Sequence, residues 1–374
     1  MRRFFINAYG AMNLGDDIVI RILSERYPFA KFIFFARKKY RKAFKYKNIK
    51  IASSVIEIRN KVEKILERSK KKSRKSLTAL CDLIVYIIDK KIIDKKYPAK
   101  IKIVGSVFSE PVDWDPKLKN VNFYSFNSPM YVLGANFGPY RSEKFKEAYR
   151  EAFEKCEWVS FRDKYSYDLF SDLKNVRYAP DIVFSGNFKA YEQKDVVAVS
   201  VINCDFEDRR QSEYTEKYEK MIAEIASYFA SMGKKVIVMS FCEYEGDEKT
   251  VKRVCGMIDE KYADLVVPYY YRGDIDEAVR IISESSFVVA TRLHAMILGL
   301  YFGKKIYPVV YNEKVIHTIE DIGYKGRYLS FSDLDGFDIG DVKYNYDNEF
   351  KIDLETIKRE SENHFKALDE LFGK

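Results

Sequence analysis

Histidine, cysteine and long apolar runs are scarce in this sequence. Its 374 residues include three histidines and five cysteines. The cysteines are dispersed and form no Cys-x-x-Cys pair, which predicts reduced thiols in a cytosolic protein and no zinc site. No apolar run approaches the roughly 20 residues that a membrane-spanning helix needs. Asn7 also interrupts the N-terminal apolar run too early for a signal peptide. We therefore expect a cytoplasmic protein that binds no metal.

Basic residues, by contrast, are in excess. Lysine and arginine total 65 against 56 aspartates and glutamates, a formal net charge of +9. This excess fits an acidic partner, either a phosphorylated substrate or an anionic membrane surface, and it equally fits a solvated basic surface. Nucleic acid is disfavoured because the basic run lacks interleaved aromatics and no recognition module is present.

The chain alternates strand-like and helix-like patterns and does so in two series. At this length two domains are expected, and alternation of this kind predicts parallel sheets wrapped by helices. We therefore predict an α/β fold with two Rossmann-like domains facing across a cleft, over 1–188 and 195–345, and a C-terminal helix (350–374). Packing of this helix back on the first domain is one option, which the sequence leaves open. The predicted strands are 4–6, 32–35, 101–104, 131–133, 158–161, 196–201, 235–239, 265–267, 287–290 and 306–310.

One insertion, residues 59–96, differs from its surroundings. Basic residues flank an apolar run, 77–88, whose large side chains recur at helical spacing. A basic amphipathic helix is attracted to anionic membrane surfaces. The same stripe also suits a helix packed on the sheet with its lysines in water. Both readings remain open.

The tripeptide Arg292-Leu293-His294 follows the predicted strand 287–290 and precedes a predicted helix. Ligand-binding groups of α/β proteins lie at such carboxyl ends of strands. A helix start supplies backbone N–H donors, and an arginine adds a planar fork suited to anions. Histidine is the usual acid–base group near neutral pH. The tripeptide therefore predicts an anion site with an acid–base residue.

A glycine-containing turn, 10–16, follows the first predicted strand. Its glycines permit a tight turn and close approach of a ligand to the backbone. The turn has neither the G-x-G-x-x-G spacing of a dinucleotide site nor the G-K-[ST] of a P-loop. By itself it indicates no particular ligand.

Taken in order along the chain, several segments resemble the polysaccharide pyruvyltransferase family. One departure is visible, because Val104 stands where the family usually has the first glycine of a pair. The matching segments are Gly10-Ala11-Met12-Asn13-Leu14-Gly15-Asp16, Gly105-Ser106-Val107-Phe108, Leu133-Gly134-Ala135-Asn136-Phe137-Gly138-Pro139, Ser160-Phe161-Arg162-Asp163, Ala179-Pro180-Asp181-Ile182-Val183-Phe184, Thr291-Arg292-Leu293-His294-Ala295 and Pro308-Val309-Val310-Tyr311-Asn312-Glu313-Lys314.

The resemblance implies a GT-B-type fold and a reaction. Proteins of this family transfer pyruvate from phosphoenolpyruvate to two hydroxyls of a sugar, which gives a cyclic pyruvate ketal and phosphate. The expected partners are phosphoenolpyruvate and a sugar acceptor in a cell-surface glycan, polymeric or lipid-linked. Phosphoenolpyruvate is a donor substrate, and no cofactor or metal is implied. If the carrier is a lipid, the enzyme is expected at the inner face of the cell membrane.

The resemblance also assigns roles to residues. Arg162, Arg292 and Lys314 are the candidate cations for the carboxylate and phosphate of the donor, since guanidinium forks suit both groups. His294 is the candidate general acid and base. Leu293 contributes to the donor pocket, and Asn13, Gly15 and Asp16 are candidates for orienting the sugar or the loop.

Purely structural roles compete with these assignments. Arg162 and Asp163 fit a local ion pair at a strand end, and Lys314 fits an ordinary helix start. Asp181, after Pro180, fits a turn-shaping residue better than a catalytic one. His317 and His364 are expected on the surface or in packing.

Two other functions remain alternatives. A nucleotide-sugar-dependent GT-B glycosyltransferase would share the fold, because fold does not determine function. Asp113-Trp114-Asp115 forms a D-x-D pattern, but it is short and typical of a different architecture. A scaffold on a membrane-associated pathway would use the basic insertion, yet it would have no need of Arg162, Arg292 and His294.

Overall fold

The structure, a computed structural model, describes residues 3–36, 40, 44, 46–52, 99–110, 114, 129–206 and 211–374. The basic insertion (59–96) and both aspartates of Asp113-Trp114-Asp115 lie outside the described residues. The chain divides into two compact units. The first unit comprises Met1–Gly10, Val19–Ile182 and Glu362–Lys374, and the second comprises Ala11–Ile18 and Val183–Ser361.

The first unit contains a seven-stranded parallel sheet. Its strands are β1 (Arg3–Asn7), β2 (Lys31–Phe35), β3 (Ile49–Ala52), β4 (Ala99–Phe108), β5 (Met130–Phe137), β6 (Trp158–Phe161) and β7 (Val176–Tyr178). They follow the spatial order β3-β2-β1-β4-β5-β6-β7. The order reverses between β1 and β4, as in Rossmann folds.

Helices α1 (Leu14–Arg26), α2 (Glu143–Phe153) and α3 (Lys164–Asp168) accompany this sheet. Ser142 caps α2, since its hydroxyl accepts the Phe145 N–H at 3.2 Å. The buried side chains of α2 recur at helical spacing and pack, with residues of β5 and β6, in an aromatic-rich core. The amphipathic pattern therefore accounts for the placement of α2.

The second unit contains a six-stranded parallel sheet. Its strands are β8 (Val196–Val201), β9 (Lys235–Ser240), β10 (Val266–Tyr270), β11 (Phe287–Ala290), β12 (Lys305–Val310) and β13 (Leu329–Ser330). Their order is β10-β9-β8-β11-β12-β13. The reversal lies between β8 and β11, so the carboxyl ends of these two strands mark the point where open α/β sheets bind ligands.

Helices connect the strands of the second unit. The longest of them, Thr215–Ser231, buries an apolar face in the hydrophobic core of this unit. The remaining helices cover the sheet or come after its last strand. The helices are α4 (Thr215–Ser231), α5 (Asp247–Gly256), α6 (Ile275–Glu284), α7 (Leu293–Tyr301), α8 (Glu313–Asp321), α9 (Ile339–Asp347), α10 (Leu354–Ser361) and, counted with the first unit, α11 (Lys366–Phe372).

The predicted α/β class with two Rossmann-like parallel sheets is confirmed, and every predicted strand is present. Three short strands, β3, β7 and β13, were not predicted. Helix α5 ends at Gly256. Glycine is a weak helix former, and Asp259 then caps a separate 3₁₀ turn through the Lys261 N–H.

The C-terminal segment is not the single helix that its pattern suggested. A 3₁₀ turn, Glu362–Phe365, separates α10 from α11. From this turn onward the chain belongs to the first unit. Arg26, at the end of α1, bonds Asp369 through Nη2 at 2.6 Å and also pairs with Glu362. The Tyr27 hydroxyl bonds Asp369 at 2.8 Å. The ring centroids of Tyr27 and Phe372 are 4.5 Å apart. This ring contact and the polar contacts hold the C-terminal segment against the end of α1.

Candidate active site

The Arg292-Leu293-His294 tripeptide lies at the predicted strand-to-helix junction of the second unit. β11 ends at Ala290 and α7 begins at Leu293. Ser200, near the end of the neighbouring β8, accepts the backbone N–H groups of Thr291 and Arg292 at 3.1 and 3.2 Å. The junction is therefore fixed to the strand pair at which the sheet order reverses.

The Arg292 guanidinium is buried in an ion-pair cluster. Nε bonds Asp247 at 3.0 Å, and Nη2 also contacts both oxygens of that carboxylate. Nη1 pairs with Glu245 at 2.7 Å. Burial alone would lower the pKa of Arg292, but the two carboxylates outweigh it and raise the pKa well above the usual value. Arg292 therefore stays charged, and two carboxylates compensate its charge.

Asp247 is the most constrained member of this cluster. It is fully buried at the start of α5. Besides Arg292, its carboxylate accepts the backbone N–H of Asn203 at 3.2 Å, of Phe241 at 3.2 Å and of Cys242 at 2.9 Å. One carboxylate thus ties together the chain after β8, the chain after β9 and the arginine after β11.

His294 and Gly15, which are far apart in sequence, are in direct contact. A Cβ atom added to Gly15 would lie 1.9 Å from Nδ1 of His294, far inside any permitted separation. His294 is half-buried on the first turn of α7. Glycine at position 15 is therefore required for the imidazole to occupy its place. The structure thus places Gly15 beside His294, two candidate site residues from distant parts of the sequence.

The turn that carries Gly15 is attached to the same unit by several bonds. The Gly15 N–H donates to Asn13 Oδ1 at 3.1 Å, and the Leu14 N–H donates to the Phe241 carbonyl at 3.0 Å. The Tyr271 hydroxyl donates to Asp17 at 2.7 Å. Met12 has φ 53°, a left-handed conformation that non-glycine residues adopt rarely and at some cost.

Asp16, Leu293 and Lys314 are the other candidate residues of the second unit. Asp16 is buried in the first turn of α1, and the Leu293 side chain is buried at the start of α7. Lys314 is half-buried in the first turn of α8, with Nζ 5.5 Å from the Tyr311 ring centroid. The structural alternative for Lys314, a helix start, is therefore also met.

Arg162 belongs to the first unit and is also paired. It follows β6 and is 4% exposed. Nη1 bonds Asp181 at 3.0 Å, and Nη2 bonds Asn136 of β5 at 2.9 Å. Asp163, the neighbour considered as its ion-pair partner, caps α3 by accepting the Ser166 N–H at 2.8 Å. Asp181, considered a turn residue, is the ion-pair partner of Arg162.

His364 lies directly beside this pair and is fully buried, so of its two expected places, the surface or the packed interior, it occupies the interior. Its Nδ1 is 2.8 Å from Ser160 Oγ, and its Nε2 is 2.8 Å from the Pro180 carbonyl. Burial lowers the pKa of His364 to about 4, although the Pro180 carbonyl and Asp181 act in the opposite direction. The neutral imidazole joins the segments that carry Arg162 and Asp181.

We expect this histidine to make the stability of the protein depend on pH. The pKa of His364 is near 6.5 in an unfolded chain and lower in the folded protein, so the unfolded chain binds more protons. Its contribution is complete above pH 6.5 and is lost as the pH falls towards 4, by about 3 kcal/mol in all. Urea unfolding between pH 7.5 and 4.5 measures it. His364→Gln should remove this part of the pH dependence, and identical profiles would contradict the assignment.

Sequence reasoning missed Asp247, Glu245 and Asn136. A signal was present for the first two, because they follow the predicted strand 235–239 as His294 follows 287–290. Carboxyl ends of neighbouring parallel strands lie at one edge of the sheet. Asn136 lies in the family-like segment Leu133–Pro139, but its pairing with Arg162 depends on β5 and β6 being neighbours in the sheet, which the sequence does not show.

Within the described ranges, no group of three or more histidine, cysteine, aspartate or glutamate side chains is placed to hold a metal ion. Every helix of the described residues is too short or too polar to cross a membrane. Cys156, Cys204, Cys242 and Cys255, the cysteines among the described residues, form no disulfide.

Comparisons with known proteins agree with this architecture. The family model "Polysaccharide pyruvyl transferase" matches residues 13–313. The chain is 21% identical over 291 residues to the amylovoran biosynthesis protein AmsJ of Erwinia amylovora, with 71% of this chain and 69% of that protein covered.

Solved structures with a similar fold include several enzymes. The calicheamicin glycosyltransferase CalG4 aligns with a TM-score of 0.51 at 9% identity, covering 100% of this chain and 98% of that one. The UDP-GlcNAc 2-epimerase of Methanocaldococcus jannaschii aligns at 0.52 and 8% identity, covering 98% and 99%. Likeness at such identities shows the fold alone, and that fold is of the predicted GT-B type.

Proposed function

Since the chain belongs to the polysaccharide pyruvyl transferase family, we propose that it moves pyruvate from phosphoenolpyruvate to two hydroxyls of a sugar and forms a cyclic ketal. The family makes the protein a transferase of polysaccharide biosynthesis. The acceptor in this proposal is a cell-surface glycan or its lipid-linked precursor, in line with the relative named for amylovoran biosynthesis. The observation that carries the proposal is the family match over 13–313, which includes every candidate site residue except Lys314.

The proposed reaction proceeds in two steps. One sugar hydroxyl bonds to C2 of phosphoenolpyruvate while the methylene carbon C3 gains a proton and becomes a methyl group. The second hydroxyl then bonds to C2, the C2–O bond to phosphate breaks, and the proton of that hydroxyl leaves with the phosphate. No oxidant, reductant or cofactor is required. The chemistry needs one proton-transfer group and several cations.

The residues of the second unit supply these groups. His294 is the group proposed to remove the hydroxyl proton and to protonate C3, from its half-buried position on the first turn of α7. Arg292 provides the guanidinium for an anionic group of the donor, and Leu293 contributes to the donor pocket beside it. Asn13, Gly15 and Asp16 hold the turn against which His294 rests, or orient the sugar. Arg162 and Lys314 are further proposed cations for the substrates.

The location of the enzyme is a further part of the proposal. We propose that the enzyme uses phosphoenolpyruvate in the cytoplasm. We also propose that the basic insertion (59–96) contacts an anionic membrane surface. The run Lys70-Lys71-Lys72, with its flanking basic residues and the apolar stripe in the sequence, favours an anionic membrane surface.

We expect the protein to bind phosphoenolpyruvate saturably and to lose at least about tenfold in affinity in Arg292→Lys. Lysine keeps the charge but lacks the planar fork that serves two partners at once. Arg292→Ala should lose binding altogether, although it also leaves two carboxylates without their counter-ion. Isothermal titration calorimetry with the donor measures both effects.

A matched control is Arg327→Ala. Arg327 is a half-exposed arginine of the same unit that pairs with Asp341 and contacts the Tyr344 ring. Its loss should leave donor affinity unchanged. UDP-glucose serves as the comparison ligand. Binding of UDP-glucose without binding of phosphoenolpyruvate would reject the proposal in favour of a nucleotide-sugar glycosyltransferase.

A further inference from the structure

We infer that Glu245 occupies the place of the donor's anionic group on Arg292, and that donor binding exchanges one carboxylate for the other while Asp247 keeps the guanidinium in position. This inference rests on the proposed function, in which Arg292 receives the donor. It assigns Glu245 as a residue that sets donor affinity and Asp247 as a positioning residue.

The two carboxylates contact different parts of the guanidinium. Asp247 takes the Nε and Nη2 side, while Glu245 takes Nη1 at 2.7 Å. An arginine fork can serve two planar anions at once through these separate edges. Replacing the partner on Nη1 therefore leaves the Asp247 contacts intact.

The two carboxylates also differ in how firmly they are held. Asp247 is fully buried and accepts three backbone N–H groups. Glu245 lies on the connection between β9 and α5, and its side chain is 12% exposed. Gly246, which follows it, has φ 77°, a left-handed conformation that favours glycine. Of the two, Glu245 is the carboxylate that can leave.

The charge of the cluster gives the reason for an exchange. Arg292 and Asp247 together are neutral, and Glu245 makes the set of three negative. Phosphoenolpyruvate carries a carboxylate and a phosphate, so Glu245, the second carboxylate on the guanidinium, repels the donor and occupies the Nη1 hydrogen-bond donors of Arg292. When Glu245 moves away, an anionic group of the donor takes its place on Nη1, so the guanidinium again has two anionic partners. Without ligand, Glu245 is the partner of Nη1, the edge of the buried guanidinium that faces away from Asp247.

The test is donor affinity in Glu245→Gln, measured by calorimetry on the full chain. The amide is a weaker acceptor than the carboxylate and brings no charge, so it competes less for Nη1. Phosphoenolpyruvate should bind on the order of tenfold more tightly than to the unaltered protein. A residue with a merely structural role would give weaker binding when replaced.

Glu248→Gln is the matched control. Glu248 lies in the first turn of α5 and pairs with Arg272 at 2.5 Å. The substitution removes the same charge from the same helix start but leaves Arg292 untouched. Donor affinity should stay within about twofold of that of the unaltered protein, since an exposed ion pair contributes little.

Three outcomes are distinguishable. Tighter binding in Glu245→Gln with an unchanged Glu248→Gln supports the exchange. Equal or weaker binding in Glu245→Gln, when the unaltered protein binds the donor, overturns the exchange and leaves the proposed function standing. If neither the unaltered protein nor Glu245→Gln binds phosphoenolpyruvate, the proposed function is overturned and this inference with it.

Discussion

His294→Ala is expected to slow pyruvyl transfer by about 10²- to 10⁴-fold while donor binding persists. A positioned acid–base group contributes a factor of this size to proton transfer. Donor affinity should change little, because Arg292 provides the cation in the proposal and Asp247, which positions it, is unchanged. The measurement is phosphate released from phosphoenolpyruvate with a glycan or membrane fraction that contains the acceptor, beside calorimetry with the donor alone.

His317→Ala is the control for this experiment. His317 is a half-buried histidine of α8 in the same unit. It should keep the transfer rate of the unaltered protein. Normal transfer by His294→Ala would remove His294 from the mechanism. Loss of donor binding together with transfer would instead make His294 a binding residue.

The fold was largely predictable because its local signals agree with its tertiary structure. Strands such as Phe287–Ala290 are short apolar runs between polar turns, and the structure buries all four of its residues. The strands that escaped prediction are short and carry weak signals. Val176–Tyr178 has one buried residue, and Leu329–Ser330 is two residues long. Pairing with a neighbouring strand, rather than sequence pattern, makes them strands.

The candidate site was predictable in its residues but not in their partners. Arg292 stands at a recognisable junction, whereas its bond to Asp247 joins residues 45 positions apart. The contact of His364 with Ser160 spans 204 positions. Such pairs follow from the order of strands in the sheet and from the path of the C-terminal segment, which no local pattern specifies. Arg292, which the sequence predicts to bind an anionic ligand, is consequently paired with two carboxylates in the structure.

Gly15→Ala is expected to lower the free energy of unfolding by about 1–3 kcal/mol and to reduce transfer almost as far as the loss of His294. The added methyl group would sit 1.9 Å from Nδ1 of His294, so the imidazole or the turn must shift. A displaced imidazole can no longer reach both the hydroxyl and C3. Urea unfolding and the phosphate-release assay measure the two effects.

Gly256→Ala is the matched control, since a Cβ atom there meets nothing within 4 Å. Near the end of α5 it should leave the transfer rate unchanged and stability unchanged or raised by up to about 1 kcal/mol.

The decisive comparison combines Gly15→Ala with His294→Ala in a double-mutant cycle. If the methyl group acts by displacing the imidazole, removing the imidazole leaves room for it. The double variant should then be more stable than the sum of the single effects predicts, and its transfer rate should equal that of His294→Ala. Additive losses in both measurements would mean that Gly15 acts through the backbone of the turn instead. Because the cycle compares chains that differ by one methyl group and one ring, it tests the contact itself.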